Sequence, residues 1–166
     1  MNSLDMMRNE NGLVRDKVEV VRINGQAQLR TLNDLTSATN IGLDLISRAN
    51  NFNKYAKSIS ATVDTLDRMP YHGESGLFYS WYASRGDKVE NFDVSSVDNI
   101  HLALALFTVK SQSPNSPTGI KADKILKRMN FSIFYDETTG LVRGNLKHQN
   151  GTWDPEPWSY SYVGSE

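Results

Sequence analysis

The sequence predicts an all-α fold: helical hairpins joined by long, aromatic-rich connections, the pairs arranged as a ring with those connections gathered at one end. Three observations predict it. Apolar residues recur at three- and four-residue spacing in two successive segments, from Ser37 and from about Lys54 to Met69. A third apolar run, Leu102–Phe107, follows the cap signal Ser95-Ser96. Between them the period is lost and aromatic residues collect, giving the order helix, helix, aromatic loop, twice over.

Taken in order, Met1–Glu10 is short, polar and weakly helical, and Asn11-Gly12 stops it before an extended lead-in, Leu13–Val18. Gln26–Asn33 reads as a polar linker. In the first helix Ile41, Leu45 and Ile46 share a face that Leu43 and Ala49 widen, with Ser37 or Thr39 available as N-cap. Gly42 near its first turn predicts close packing against another helix, and Asn50-Asn51 ends it. The second helix repeats Ala56, Ile59, Val63 and Leu66 and stops at Pro70. The short joint makes these two helices antiparallel neighbours.

Gly76–Tyr82 suits an extended strand that turns over at Arg85-Gly86-Asp87. The third helix carries Asp98 in its first turn, where the helix dipole favours an acid. Its run Leu102–Phe107 is apolar nearly all round and predicts burial on most sides. Ser111–Gly119, with two prolines, is a loop, and a fourth helix over Ile120–Met129 turns Ala122, Ile125, Leu126 and Met129 inward. Phe131–Tyr135 and Leu141–Leu146 flank Asp136–Gly140 as a hairpin. The tail Gly151–Trp158 reads as irregular, and Tyr160–Glu166 as the start of a helix.

Composition removes several functions. The 166 residues fit one domain with a real core, and 39% apolar with 22% charged residues is the profile of a soluble globular chain. A net charge of −1 gives no electrostatic reason to bind nucleic acid or an anionic membrane. The absence of cysteine excludes disulfides, thiolate zinc sites and cysteine nucleophiles. No apolar run approaches the ~20 residues of a membrane span, and Met1–Asp5 lacks the basic start and apolar stretch of a secretory signal. His72, His101 and His148 are scattered; Asp98 and His101, three apart, supply only two ligands, so no metal or other cofactor is expected. Gly73–Gly76 lacks the lysine of a phosphate loop, and there is no Gly-x-Ser-x-Gly elbow.

What remains is carboxylates beside aromatics. Asp98 follows a loop holding Phe78, Tyr79, Trp81 and Tyr82; Asp154, Glu156 and Glu166 lie among Trp153, Trp158, Tyr160 and Tyr162. Sugar rings stack on flat aromatic faces while carboxylates accept their hydroxyls, and glycoside hydrolysis needs two acids. The same residues also fit a structural role, with aromatics plugging a helical core and Asp98 serving as a cap.

Four stretches carry a resemblance. Asn11-Gly-Leu-Val-Arg-Asp16 and Ser37-Ala-Thr-Asn-Ile-Gly-Leu43 are followed by Gly76-Leu-Phe-Tyr-Ser-Trp-Tyr82 with Val94-Ser-Ser-Val-Asp98, and then by the tryptophan-rich Trp153–Glu166. Their sequence and spacing resemble the glucoamylase-like family of bacterial (α/α)6 proteins, which includes endo-β-1,2-glucanases and the similar domain of cyclic β-1,2-glucan synthases. The resemblance implies a pocket with Asp98 and Glu166 as the catalytic acids and Tyr79, Trp81 and Tyr82 as substrate-binding residues. Trp153, Trp158 and Tyr160 join the sugar-binding candidates from the second aromatic cluster. Ala83 departs from the pattern, standing where the family usually has an acid.

The family's ring has six helix pairs, and residues 1–166 supply about half. The chain is therefore expected to be a single domain forming the N-terminal half of a larger (α/α)6 domain that hydrolyses or transfers glycosidic bonds in a β-linked glucan. An open ring exposes apolar helix sides, which a second half-domain or another copy would cover. The alternative is a non-catalytic carbohydrate-binding or assembly module, or an inactive fragment. The implied partner is an oligo- or polysaccharide rather than nucleic acid or membrane. Localisation stays open, the periplasm or the exterior being compatible with the family for an intact protein.

Overall fold

A computed structural model describes residues 7–31, 34–149, 152–155 and 159–160. Four helices form the frame: α1 (Ala38–Ala49), α2 (Phe52–Arg68), α3 (Ser96–Gln112) and α4 (Pro117–Arg128). Their starts follow from serine chemistry. Ser37, Ser95 and Ser116 each accept, on the side-chain oxygen, the backbone N–H three residues on, and Pro117 fills the first position of α4, where a missing N–H costs nothing. Pro70 ends α2 by holding Met69 extended.

The side chains fix the directions. Within each hairpin the helices are antiparallel, Arg48 of α1 reaching Thr62 of α2 and Lys110 of α3 pairing with Asp123 of α4 at 2.5 Å. Across the hairpins Thr39 meets Asp98 and Gly42 lies on the His101–Leu102 backbone, so α1 and α3 run parallel. Lys121–Asp64 and Lys124–Asp67 set α2 and α4 parallel in the same way. The result is two layers, with α1 packed most extensively on α3 rather than on its sequence neighbour α2. Gly42 makes that approach possible, because a Cβ there would lie 2.9 Å from the backbone of His101 and Leu102. Ile41, Leu45, Ile59, Val63, Leu66, Leu102, Leu106 and Ile125 fill the space between the helices.

A buried charge cluster ties the lead-in segment to this frame. Asp44, 2% exposed, accepts from Arg8 at 2.5 Å and from Arg48 at 2.5 Å; Arg48 also donates to Thr62, whose hydroxyl donates to the Gly12 carbonyl at 2.7 Å. Gly12 has φ +79° and sits where a Cβ would meet the Thr62 backbone at 2.8 Å. Asn40 donates to Asp16 at 3.0 Å, which closes the segment Asn11–Asp16 against α1. Such a cluster costs much to desolvate but is strongly destabilising to break.

The fold is not purely all-α. Strands occupy the connections: β1 (Val18–Ile23), β2 (Gln26–Thr31), β3 (Leu35–Thr36), β4 (Trp81–Ala83), β5 (Val89–Asn91) and β6 (Val94–Ser95). They continue with β7 (Tyr135–Asp136), β8 (Leu141–Arg143), β9 (Asn145–Gln149), β10 (Thr152–Pro155) and β11 (Ser159–Tyr160). Gln26–Thr31 is no linker but the second strand of a hairpin, turned by Asn24-Gly25 at φ 51° and 78°, the residues a tight antiparallel turn demands. Three three-stranded sheets follow, ordered β3-β4-β5, β10-β9-β6 and β11-β8-β7. The expected hairpin over 131–146 opens with a 3-10 turn, Phe131–Phe134, before β7 and β8. Thr152–Pro155 is strand rather than irregular, and residues 161–166, expected to begin a helix, lie outside the described ones.

α3 is not buried on most sides. Ile100, Leu104 and Phe107 are 51%, 54% and 57% exposed, and with Leu126, Phe134 and Val142 they line an open apolar trough of about 540 Å³. The run is apolar all round because one side faces the core and the other faces this trough. Among the described residues no helix is long and apolar enough to cross a membrane.

Replacing a mid-helix glycine with alanine ordinarily gains about 1 kcal/mol. For Gly42→Ala we expect the opposite sign, a net loss of about 1–2 kcal/mol in urea unfolding, because the added methyl meets backbone that cannot move aside.

Candidate functional site

Both hairpins turn through a few residues at one end, so the long connections gather at the other, around the N-termini of α1 and α3. One side chain sets the arrangement there. Asn99, wholly buried in the first turn of α3, accepts the Phe78 N–H at 2.7 Å and donates to the Phe78 carbonyl at 2.9 Å. Its second amide hydrogen goes to the Ser95 carbonyl at 2.9 Å. Asn99 thus treats Phe78 as a strand neighbour would and fastens the aromatic segment to α3 beside Asp98. Ser80 N–H donates to the Asp93 carbonyl at 2.7 Å, holding the next turn of chain.

Asp98 is not the cap of α3; Ser95 is, accepting the Asp98 N–H at 3.2 Å. The half-buried carboxylate reaches across to α1 instead, where its Oδ1 accepts from Thr39 Oγ1 at 2.6 Å. The same Thr39 oxygen lies 3.2 Å from His101 Nδ1. Asp98 Oδ2 makes no hydrogen bond among the described residues. Trp81 belongs to the same end: β4 pairs with β3, opposing Tyr82 to Thr36, and β3 runs through Ser37 into Thr39.

The aromatics divide into two kinds. Tyr82, expected to bind substrate, is completely buried, its hydroxyl donating to the Pro70 carbonyl at 2.7 Å and accepting the Tyr79 N–H at 2.8 Å. Burial pushes its phenol far above the usual value, and no face is left for a ligand. It is the floor of the site, a correction to the sequence reading. Trp81 sits one residue earlier, where the β4–β5 ladder shifts register between Trp81 and Tyr82, and is half-buried. Tyr79 is half-buried, edge-on to Phe92 at 5.2 Å, and burial raises its phenol too. Below it His72, buried, has Nδ1 2.9 Å from Ser75 Oγ; burial holds its imidazole below the ordinary value while Glu74 pulls it up.

Phe92, 48% exposed, and His148, 5.7 Å from it ring to ring, extend the aromatic surface; the sequence carries no signal at Phe92 and shows His148 only as one of three scattered histidines. The β9–β10 register sets Trp153 opposite His148, in the sheet whose β6 leads into α3. Tyr160 pairs with Val142 in the other sheet, which borders the trough. Trp158 and Glu166 lie outside the described residues. Among the described residues no group of three or more His, Asp or Glu could hold a metal ion.

No family model matches this chain, and no curated protein matches it. Solved structures do. The complex of endo-β-1,2-glucanase from Talaromyces funiculosus with sophorose superimposes with a TM-score of 0.70 at 17% identity, covering 96% of this chain and 40% of that one. A mutant of the same enzyme with β-1,2-glucan gives 0.66 at 18% identity over the same shares. The chain therefore has the fold of part of such an enzyme, helical with strands in its connections, and spans 40% of its length.

Asn99→Ala strands two buried backbone groups of Phe78. We expect a loss of about 3 kcal/mol in chemical unfolding together with a changed aromatic circular dichroism signal. Unchanged values for both would show that the segment is held by something else.

Proposed function

We propose that this chain is the N-terminal half of a carbohydrate-active domain that hydrolyses or transfers glycosidic bonds in a β-linked glucan. The observation that carries the reading is Asp98, with one oxygen fixed by Thr39 and the other open, at the helix end where the Asn99-held segment presents Tyr79 and Trp81. Carboxylates take sugar hydroxyls and aromatic faces take the C–H side of the ring, and the fold is shared with an enzyme seen with sophorose and with β-1,2-glucan.

Glycosidic cleavage asks one acid to protonate the leaving oxygen and a second to activate water or attack. Asp98 and Glu166 are proposed for these parts, Glu166 on its sequence resemblance alone. Trp153, Trp158 and Tyr160 are proposed as further sugar contacts because they belong to the second aromatic and acidic cluster of the sequence. Two observations support the half-domain reading: the 40% share of the matched enzyme, and the trough beside α3. Among the described residues the place beside α3 in the α1–α3 layer is open, and its occupant would be a further helix with an apolar stripe. Ala83, in the place of an acid, favours a second reading in which the module binds glucan without cleaving it.

Calorimetric titration with sophorose and longer β-1,2-linked glucans should show saturable binding that Asp98→Ala and Trp81→Ala each weaken at least tenfold. Assay for new reducing ends should find little or no turnover by this chain. Binding indifferent to both substitutions would overturn the site, and brisk turnover would overturn the half-domain.

The uncovered trough should make the chain self-associate in sedimentation experiments. Phe107→Glu, at an exposed position, should shift it to monomer.

A further inference from the structure

The contact between Thr39, Asp98 and His101 holds more information than a single hydrogen bond. Thr39 Oγ1 is 2.6 Å from Asp98 Oδ1 and 3.2 Å from His101 Nδ1, yet the hydroxyl has one hydrogen. An ionised carboxylate can only accept, so the hydroxyl hydrogen goes to Asp98. The oxygen then faces Nδ1 with a lone pair, and Nδ1 must carry a hydrogen.

We infer that Asp98, through Thr39, holds the neutral His101 ring in its Nδ1–H tautomer, so that Nε2 is left bare as an acceptor. Thr39 and His101 are positioning residues in this scheme. Gly42 keeps the chain short, since α1 comes onto the His101 backbone only because position 42 lacks a Cβ. The consequence for recognition is that the site offers two acceptors, Asp98 Oδ2 and His101 Nε2, and so favours a ligand rich in hydroxyl donors. That consequence rests on the glucan reading; the tautomer does not.

The geometry also dictates what breaks the arrangement. Removing the carboxylate frees the Thr39 hydrogen to turn to Nδ1, and the ring takes its hydrogen at Nε2, the form imidazole prefers unaided. Removing the hydroxyl uncouples the two ends. A serine at position 39 keeps the same oxygen and hydrogen.

The test is nitrogen-15 NMR of the full chain with labelled histidine, about two pH units above the ordinary histidine value of ~6.5, with His101 assigned by a His101→Gln variant. Wild type and Thr39→Ser should show Nδ1 protonated and Nε2 bare. Thr39→Val and Asp98→Ala should show the reverse, in proteins whose amide spectra remain dispersed. A wild-type ring protonated at Nε2, or an Nδ1–H form that persists in both variants, overturns the inference. If the tautomer behaves as expected but Asp98→Ala binds β-1,2-glucan as well as wild type, the inference stands and the sugar site falls. If Asp98→Ala abolishes binding while the wild-type ring carries its hydrogen at Nε2, the reverse holds.

Discussion

The arrangement at the helix end depends on the carboxamide of Asn99. An extended segment that leaves α2 at Pro70 has no neighbour at Phe78 to receive its N–H and carbonyl, and burying both unpaired is costly. Asn99 supplies a donor and an acceptor from inside α3, and its remaining hydrogen closes on Ser95, the cap of the same helix. One side chain therefore sets the distance of the aromatic run from the first turn of α3. The residue before it is Asp98, so the aromatic platform and the carboxylate are placed by one contact.

The helices beneath supply a stiff base for that contact. α1 and α3 meet at Gly42, and the buried cluster of Asp44, Arg8, Arg48 and Thr62 pins the lead-in segment across α1 and α2. Each feature has a packing reason to be what it is. Gly12 sits at positive φ against Thr62, Asn40 binds Asp16, and Ser37 caps α1. Among the described residues the opposite side of α3 has no such partner, and its apolar residues stand in an open trough.

The helices were legible because their signals are local and repeated. Ser37, Ser95 and Pro70 mark ends, and Ile41–Leu45–Ala49 or Ile59–Val63–Leu66 mark a buried stripe. Gly42 was readable as a close approach, though not which helix would approach. The strands were not legible, since two or three residues such as Leu35–Thr36 carry no period and their pairing is a long-range matter. Asn24-Gly25 is the direct signal of the β1–β2 hairpin, but the polar residues of β2 read as a linker. The exposure of Leu104 and Phe107 could not be read, as an apolar run looks the same facing a core or a trough.

The sequence groups the aromatic segment as one run but cannot sort which of its side chains are buried. Tyr79, Trp81 and Tyr82 share one aromatic run, and only the fold buries Tyr82 in the core while leaving Tyr79 and Trp81 half-buried. From sequence Thr39 reads as a possible cap and His101 as half of an incomplete metal pair; their junction at Asp98 joins residues 59 and 62 positions from Thr39. Phe92 and His148 come from separate connections and meet only in the fold.

The central claim is that one contact places the aromatic face and the carboxylate at a common sugar site. A crystal structure of the chain with sophorose tests it most directly. A glucose ring is expected against Trp81 or Tyr79 with a hydroxyl donating to Asp98 Oδ2. Sophorose seated elsewhere with Asp98 facing only water, or Asp98 and Trp81 on opposite sides of the molecule, would contradict it.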